Sequence, residues 1–255
     1  MLHPFKIVAL WCWYRGEQFR GYQQQLDSRT VQGELLRAFA AAGLSRNPVV
    51  AGRTDKGVSA RMQVLSCRVE RETVVDELPA RLNAHLPEDL GVHLVREVPR
   101  LFHAAWSATS KEYRYRLTLA EAGDLERLRE VAALIPGTRD FTVFHFKSSE
   151  RRPRTVTAID VWPDADGVTL RFLGEGFARY MVRMLVGAMV HVARGELDLS
   201  LVRDGLEQQK LFRCPTAEAE PLTLWDVGYP REVDPFTPAE RASFDWPPRA
   251  PTPAR

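Results

Sequence analysis

Residues 51–60 read AGRTDKGVSA. Between Gly52 and Gly57 this segment gathers a carboxylate (Asp55), a hydroxyl (Thr54) and two cations (Arg53 and Lys56). A carboxylate held in place can act as a nucleophile or base. Three readings compete. Gly52 and Gly57 have the G-x-x-x-x-G spacing of a phosphate-binding loop, but that motif needs lysine directly after the second glycine, followed by Ser or Thr. Here Lys56 precedes Gly57 and Val58 follows it. A glycine-rich decapeptide is also a common turn between strands, with Asp55 as its capping residue. In the third reading the glycines free the backbone to set Arg53, Thr54 and Asp55 in a cleft wall.

Such a loop has to be carried by regular elements. Residues 5–14 are apolar on both alternating sets and read as a buried strand. Residues 15–25 are polar, with Gly16 and Gly21, and read as a loop. Thr30 is placed to cap a helix over 31–43, whose Leu35, Leu36, Phe39 and Ala42 share a face. Residues 49–51 form a short strand leading into the loop. Strands follow at 62–70 and 91–98 around a helix at 75–85, and residues 112–119 alternate well enough for another strand. The second half predicts a helix at 124–135, strands at 155–162 and 168–174, and helices at 176–194 and 198–209. A last strand covers 222–229. Strands outnumber helices and occur in runs, which favours an α+β fold over Rossmann-type alternation. Positions 230–255 hold seven prolines and little apolar periodicity, so this tail is expected to be extended or partly mobile, with Phe244 and Trp246 able to dock.

Composition narrows the chemistry. The chain has 255 residues, 45% apolar and 27% charged, which is ordinary for a globular protein of one large or two modest domains. The cysteines (Cys12, Cys67 and Cys214) are far apart and odd in number, which argues against a disulfide framework. The histidines are scattered, so no zinc site is expected. No apolar stretch approaches the ~20 residues of a membrane span. The N-terminal apolar run lacks a basic n-region and a cleavage site, so a cytoplasmic protein is expected. With a net charge of only +2, any nucleic-acid contact must come from local patches.

The loop does not stand alone. AGRTDKGVSA resembles the signature of the tRNA pseudouridine synthase A family, whose bacterial form is close to GRTDAGVHA. YRGEQFRGYQQQ at 14–25 resembles that family's YDGTxFxGWQxQ, and TVQGELLRA at 30–38 its TVQGxLExA helix. LNAHLPEDLGV at 82–92 is similar to LNxxLPxDIxV, and FHAAWSATSKEYRYR at 102–116 to FHARxSAxxKxYxYR. PGTRDFTVF at 136–144 resembles GxHDFxxF, and FARYMVRMLVG at 177–187 resembles FLxxMVRxMVG. These segments are collinear from residue 14 to residue 187.

The resemblance implies a pseudouridine synthase fold: two similar subdomains with mainly antiparallel sheets and helices around a central basic cleft. An N-terminal subdomain (1–110) would carry the aspartate loop, a C-terminal subdomain (111–229) would complete the cleft, and 230–255 would be the tail. The implied activity is isomerisation of uridine to pseudouridine in the anticodon stem-loop of tRNA, without cofactor or metal, by a homodimer. By the same resemblance Asp55 is the nucleophile, Arg183 the cation that keeps it ionised, and Tyr113 the ring against the target base. Arg53 lies beside that base and Leu222 packs near it. Phosphate contacts would come from Arg15, Arg20, Lys111, Arg114 and Arg116, and from the run Lys147, Arg151, Arg152 and Arg154.

The chain also departs from the pattern. Ser59 stands where the bacterial signature has His, Lys56 where it has Ala, Arg15 where YDG has Asp, and Ala105 where FHAR has Arg. Pro221 replaces a usual Gly, and the connection from Leu119 to Pro136 is short. These changes motivate an alternative: a drifted RNA-binding paralogue with an altered target or weak catalysis. A nucleotide-binding enzyme using the Gly52–Gly57 loop is a third possibility.

Overall fold

The computed structural model describes residues 4–44, 47–146 and 152–247. The chain forms two compact units, Met1–Thr109 with Leu224–Arg255, and Ser110–Thr223.

The first unit begins with β1 (Phe5–Tyr14), which is followed by α1 (Val31–Ala41). As the sequence predicts, Thr30 caps α1, accepting a bond from the Gly33 N–H. Next come β2 (Val49–Val50), β3 (Ser59–Glu70), α2 (Leu78–Asn83) and β4 (Leu90–Val98). β1 is central and antiparallel to both β3 and β4. It is buried on both faces from Val8 to Cys12, which explains its unbroken apolar run. β2 pairs with the outer part of β3 through Val49–Ser66 and Val50–Leu65.

The second unit contains β5 (Ser110–Leu117), α3 (Leu119–Ala122), α4 (Leu125–Leu134) and β6 (Gly137–Arg139). It continues with β7 (Arg154–Asp164), β8 (Gly167–Gly174), α5 (Met181–Ala193) and α6 (Leu199–Glu207). Its strands follow the antiparallel order β5-β8-β7-β6. β9 (Leu222–Gly228) starts in this unit; from Leu224 it belongs to the first, where it lies beside β3. α7 (Pro238–Ser243) also belongs to the first unit. Both units mix helices with antiparallel strands, so the α+β expectation holds.

Several expectations are corrected. The helix expected at 176–194 begins at Met181, because Tyr180 sits in the left-handed region (φ 63°) and ends any earlier helical run. α3, β6 and α7 are too short for their periodicity to show in sequence. The residues after 229 do not form a separate extended tail as far as they are described. Thr237 and Glu240 make a capping box, Pro238 occupies the first turn, and a six-residue helix forms. The Arg241 guanidinium binds Asp234 through two bonds of 2.7 and 2.9 Å, and also binds Asp226 and the Val227 carbonyl. The Phe244 ring packs on Trp11 and His93, and its carbonyl accepts from Arg61, as does that of Arg241. Charge pairing and aromatic packing thus anchor a segment that proline content alone marks as loose. No helix among the described residues is long and apolar enough to cross a membrane.

Candidate active site

The loop 51–58 leaves β2 and enters β3, and is held at both ends. The Ala51 N–H donates to the Val64 carbonyl (2.8 Å), and the Val58 N–H donates to the Asp55 carbonyl (3.2 Å) to close a turn. Gly57 makes that turn possible with φ +84°. Arg53 and Lys56 are exposed, Asp55 is partly exposed and Thr54 is buried. The Thr54 side chain therefore points into the unit, toward Tyr14 at the end of β1, and the two oxygens are 2.8 Å apart. Gln63 on β3 completes the support, donating to the Tyr14 hydroxyl (3.3 Å) and to the Gly52 carbonyl (2.7 Å). Burial pushes the Tyr14 phenol up to about 12, against the opposing effect of its bonds to Thr54 and Gln63. It remains a neutral hydroxyl at any working pH.

The segment 14–22 closes over the other side of this loop. The Gly16 N–H donates to the Ser59 hydroxyl (2.9 Å). A Cβ on Gly16 would lie 2.3 Å from the Val58 backbone, so only glycine fits. The Gly57 N–H donates to the Phe19 carbonyl (3.4 Å), and the Tyr22 N–H donates to the Thr54 carbonyl (3.1 Å). Gly21, at φ +97°, lies against the backbone of Thr54 to Lys56. Two sequence motifs some thirty-five residues apart thus interlock around Asp55, with backbone bonds on both sides of it. Ser59, where the bacterial signature has His, is one of the locking groups. Beneath them Tyr22 is buried; its hydroxyl has no hydrogen-bond partner among the described residues, and burial holds its pKa well above the ordinary value.

In the second unit β5 carries two of the expected residues on one face. Tyr113 is buried, faces Phe172 across the β5–β8 ladder and meets Phe177 edge-on at 5.4 Å. Lys111, two positions earlier, shares its face by strand alternation. Burial, then the nearby Arg154, lowers its pKa. Arg114 and Arg116 fall on the opposite face. Arg114 pairs with Glu112 at 2.8 Å, and Arg116 binds Asp164 through two bonds of 2.5 and 2.7 Å. Glu112 also pairs with Arg171, which pairs with Asp160. The alternation of β5 therefore separates Arg114 and Arg116 from Tyr113 and gives each a carboxylate partner.

Arg183 occupies the first turn of α5, which has no acidic residue. A cation there opposes the helix dipole, so its position does not stabilise the helix; the turn favours an anion. Its Nε donates to the Ala217 carbonyl (2.8 Å), and the Ala217 N–H donates to the Arg183 carbonyl (3.0 Å). Its guanidinium carbon lies 4.9 Å from the centre of the Tyr180 ring, and Arg179 lies 5.2 Å from the same ring. Among the described residues of its own unit Arg183 makes no ion pair. Leu222 is buried at the start of β9.

The remaining candidates distribute as follows. Arg15 donates to the Glu88 carbonyl (3.3 Å), and Arg20 is exposed. Lys147 and Arg151 lie outside the described residues. Ala105, in place of a family arginine, donates its N–H to the His103 ring, which stacks flat on Trp106 at 4.0 Å. Reading the sequence did not identify Tyr14, Gln63 and Ser59 as supports of the loop. The signal for Tyr14 was its place at the head of the 14–25 motif; Gln63 carried none beyond being polar in an apolar strand. Among the described residues no cluster of three or more His, Cys, Asp or Glu could hold a metal.

Known proteins resemble this chain along most of its length. The profile of a family described as tRNA pseudouridine synthase matches residues 131–230. The chain is 34% identical over 236 residues to the tRNA pseudouridine synthase A of Geobacillus sp. (strain WCH70), covering 85% of this chain and 95% of that one. It is 34% identical to the Pyrococcus furiosus protein of that name (87% and 83% covered) and 35% identical to that of Bacillus subtilis strain 168 (85% and 96%). Motifs interlocked around one aspartate, and identity above 30% over more than four-fifths of each chain, make this protein a member of the tRNA pseudouridine synthase A family.

Proposed function

We propose that the protein is a tRNA pseudouridine synthase, an isomerase that converts uridine to pseudouridine in the anticodon stem-loop of tRNA. The observation that carries this reading is the similarity along 85% of the chain to a protein of that name; the interlock of segments 14–22 and 51–60 around Asp55 supports it. Substrate and product are isomers, so no second substrate is consumed. The C1′–N1 bond breaks, the base rotates, C1′ joins C5, and the C5 proton is lost while N1 gains one.

Asp55 is the proposed nucleophile, attacking C1′ of the sugar or C6 of the ring. Arg183 is its proposed cationic partner; a guanidinium in a helix first turn without acids is suited to an anion. Tyr113 would lie against uracil, its ring angle fixed by Phe177 and its phenol placed to receive the C5 proton. Arg53 would hold the displaced base and Leu222 would pack beside it. Arg15, Arg20 and Lys111 remain the favoured phosphate contacts, since Arg114 and Arg116 already hold carboxylates. A homodimer and a cytoplasmic location complete the reading.

The test is tritium release from unmodified tRNA labelled at uridine C5. Wild-type protein is expected to release label in step with pseudouridine formation. Asp55→Asn and Asp55→Ala are expected to lose turnover by at least ~10³-fold while still binding tRNA. Full turnover by either variant would reject Asp55 as nucleophile.

A further inference from the structure

The segment from Arg20 to Gln32 is a closed loop whose ends are bonded to each other and to the aspartate loop. The Arg20 N–H donates to the Arg29 carbonyl, the Val31 N–H to the Gly21 carbonyl and the Gln32 N–H to the Tyr22 carbonyl, at 2.9–3.2 Å. The Gln24 N–H donates to the Gln32 side chain (2.9 Å), and the Gln25 side chain donates to the Arg20 carbonyl (3.0 Å). A bridge between Gln25 and Ser28 forms the tip. Arg29 holds the base of the loop by pairing with Asp89 at 2.7 Å and lying over the Phe19 ring.

The tip of this fixed loop is Leu26, whose side chain is fully exposed at 102%. Gln23, Gln24, Gln25 and Asp27 beside it are also exposed. Leu26 is five positions from Gly21, so it reaches at most about 18 Å from the backbone that abuts Asp55. The exposed cations Arg20, Arg53 and Lys56 lie on this loop and the aspartate loop, and none has a carboxylate partner among the described residues. Asp27 is the one acid at the tip. An apolar side chain on a rigid tip, with unpaired cations at its base, fits a polyanion whose interior is apolar and stacked.

We propose that Leu26 is an apolar wedge that enters the base stack of tRNA next to the target uridine and supports the unstacked neighbour while the target is turned out. This rests on the tRNA pseudouridine synthase reading. Aliphatic side chains inserted at a base step unstack it, and an enzyme acting on a base inside a stem must extrude that base. The cations would hold the flanking phosphates, and the Gln23–Gln25 amides can bond base edges exposed by the opening.

The experiment compares single-turnover rates on folded tRNA and on a short single-stranded RNA carrying the same uridine. Wild type is measured first, then Leu26→Ala and Leu26→Met. Leu26→Ala is expected to lose ~10-fold or more on folded tRNA and less than ~2-fold on the single strand, with Leu26→Met close to wild type. 2-Aminopurine placed next to the target, bound to Asp55→Ala protein, should brighten on binding, and brighten less when Leu26→Ala is added. Equal losses on both RNAs, or no loss, would overturn the wedge. A Leu26→Ala effect explained by a changed sedimentation coefficient would make Leu26 a contact between copies and also overturn it. Wild-type inactivity on every tRNA would overturn both readings, whereas normal wild-type turnover with an indifferent Leu26→Ala would overturn the wedge alone.

Discussion

The Tyr14 hydroxyl lies 2.8 Å from the Thr54 side-chain oxygen, joining the end of the first strand to the residue just before Asp55. Both groups are buried, and Gln63 donates to the same phenol. Thr54→Val keeps the side-chain shape and removes this bond. The Tyr14 hydroxyl would keep only its longer contact to Gln63, at a cost of about 1–2 kcal/mol. Because the aspartate would lose its fixed position, turnover is expected to fall ~10-fold or more while tRNA affinity stays within ~2-fold. Urea denaturation together with single-turnover kinetics checks both parts.

Arg183 offers a second test, because its Nε is already used on the Ala217 carbonyl. A lysine carries its donors on a single nitrogen, so it cannot hold that carbonyl and still present the planar, parallel pair of donors that a guanidinium offers an anion. Arg183→Lys is expected to lower kcat by ~10²-fold with little change in KM, and Arg183→Ala to lower it further. A change confined to KM would mean that the guanidinium binds phosphate and does not serve the nucleophile.

The regular elements were legible where periodicity or caps were strong. β1 announced itself by apolar residues on both alternating sets, and α1 by Thr30 and its apolar face. α5 was expected to begin five residues too early because its apolar run says nothing about the left-handed Tyr180 at its start. Phe244 was legible as an aromatic able to dock, and it packs on Trp11 and His93; the ionic anchor, Arg241 on Asp226 and Asp234, carried no sequence signal. The loop around Asp55 was visible through its motif. The grip on it was not, because that depends on which backbone groups of 16–22 meet 54–59.

Arg241 carries the next prediction. Its side chain is 14% exposed and faces Asp226 and Asp234, 31% and 23% exposed. Arg241→Ala leaves both acids without their cation, and a loss of about 2–3 kcal/mol is expected after allowing for their partial exposure. Limited proteolysis should then cut between 230 and 247, a region that should resist cleavage in wild type.

Acid should loosen the same segment in two stages. Burial lowers the pKa of His93, which stacks on Phe244, below its ordinary 6.5. A histidine whose folded pKa is depressed contributes stability that is present above pH 6.5 and lost as pH falls through the folded value. Burial alone would raise the Glu240 pKa, but bonds from Thr237 and Arg96 outweigh it and the net shift is downward. Its contribution is present above about pH 4.5 and lost below that. The melting temperature is expected to drop by ~2–4 °C between pH 7 and pH 5, and His93→Phe should remove most of that drop. An identical pH dependence in wild type and His93→Phe would exclude His93 as the cause.

The unit that holds Asp55 is discontinuous in the chain: residues 1–109 and 224–255, with 110–223 between. On the ribosome, the strand that lies beside β3 emerges after the entire second unit has been made. The nascent aspartate-bearing half must therefore wait, one sheet edge uncovered, until the residues after Thr223 have been made. A truncated product would carry every expected catalytic side chain and still lack the strand and anchor that finish their scaffold. Competence is withheld until the second unit has been made and the strand after it has emerged.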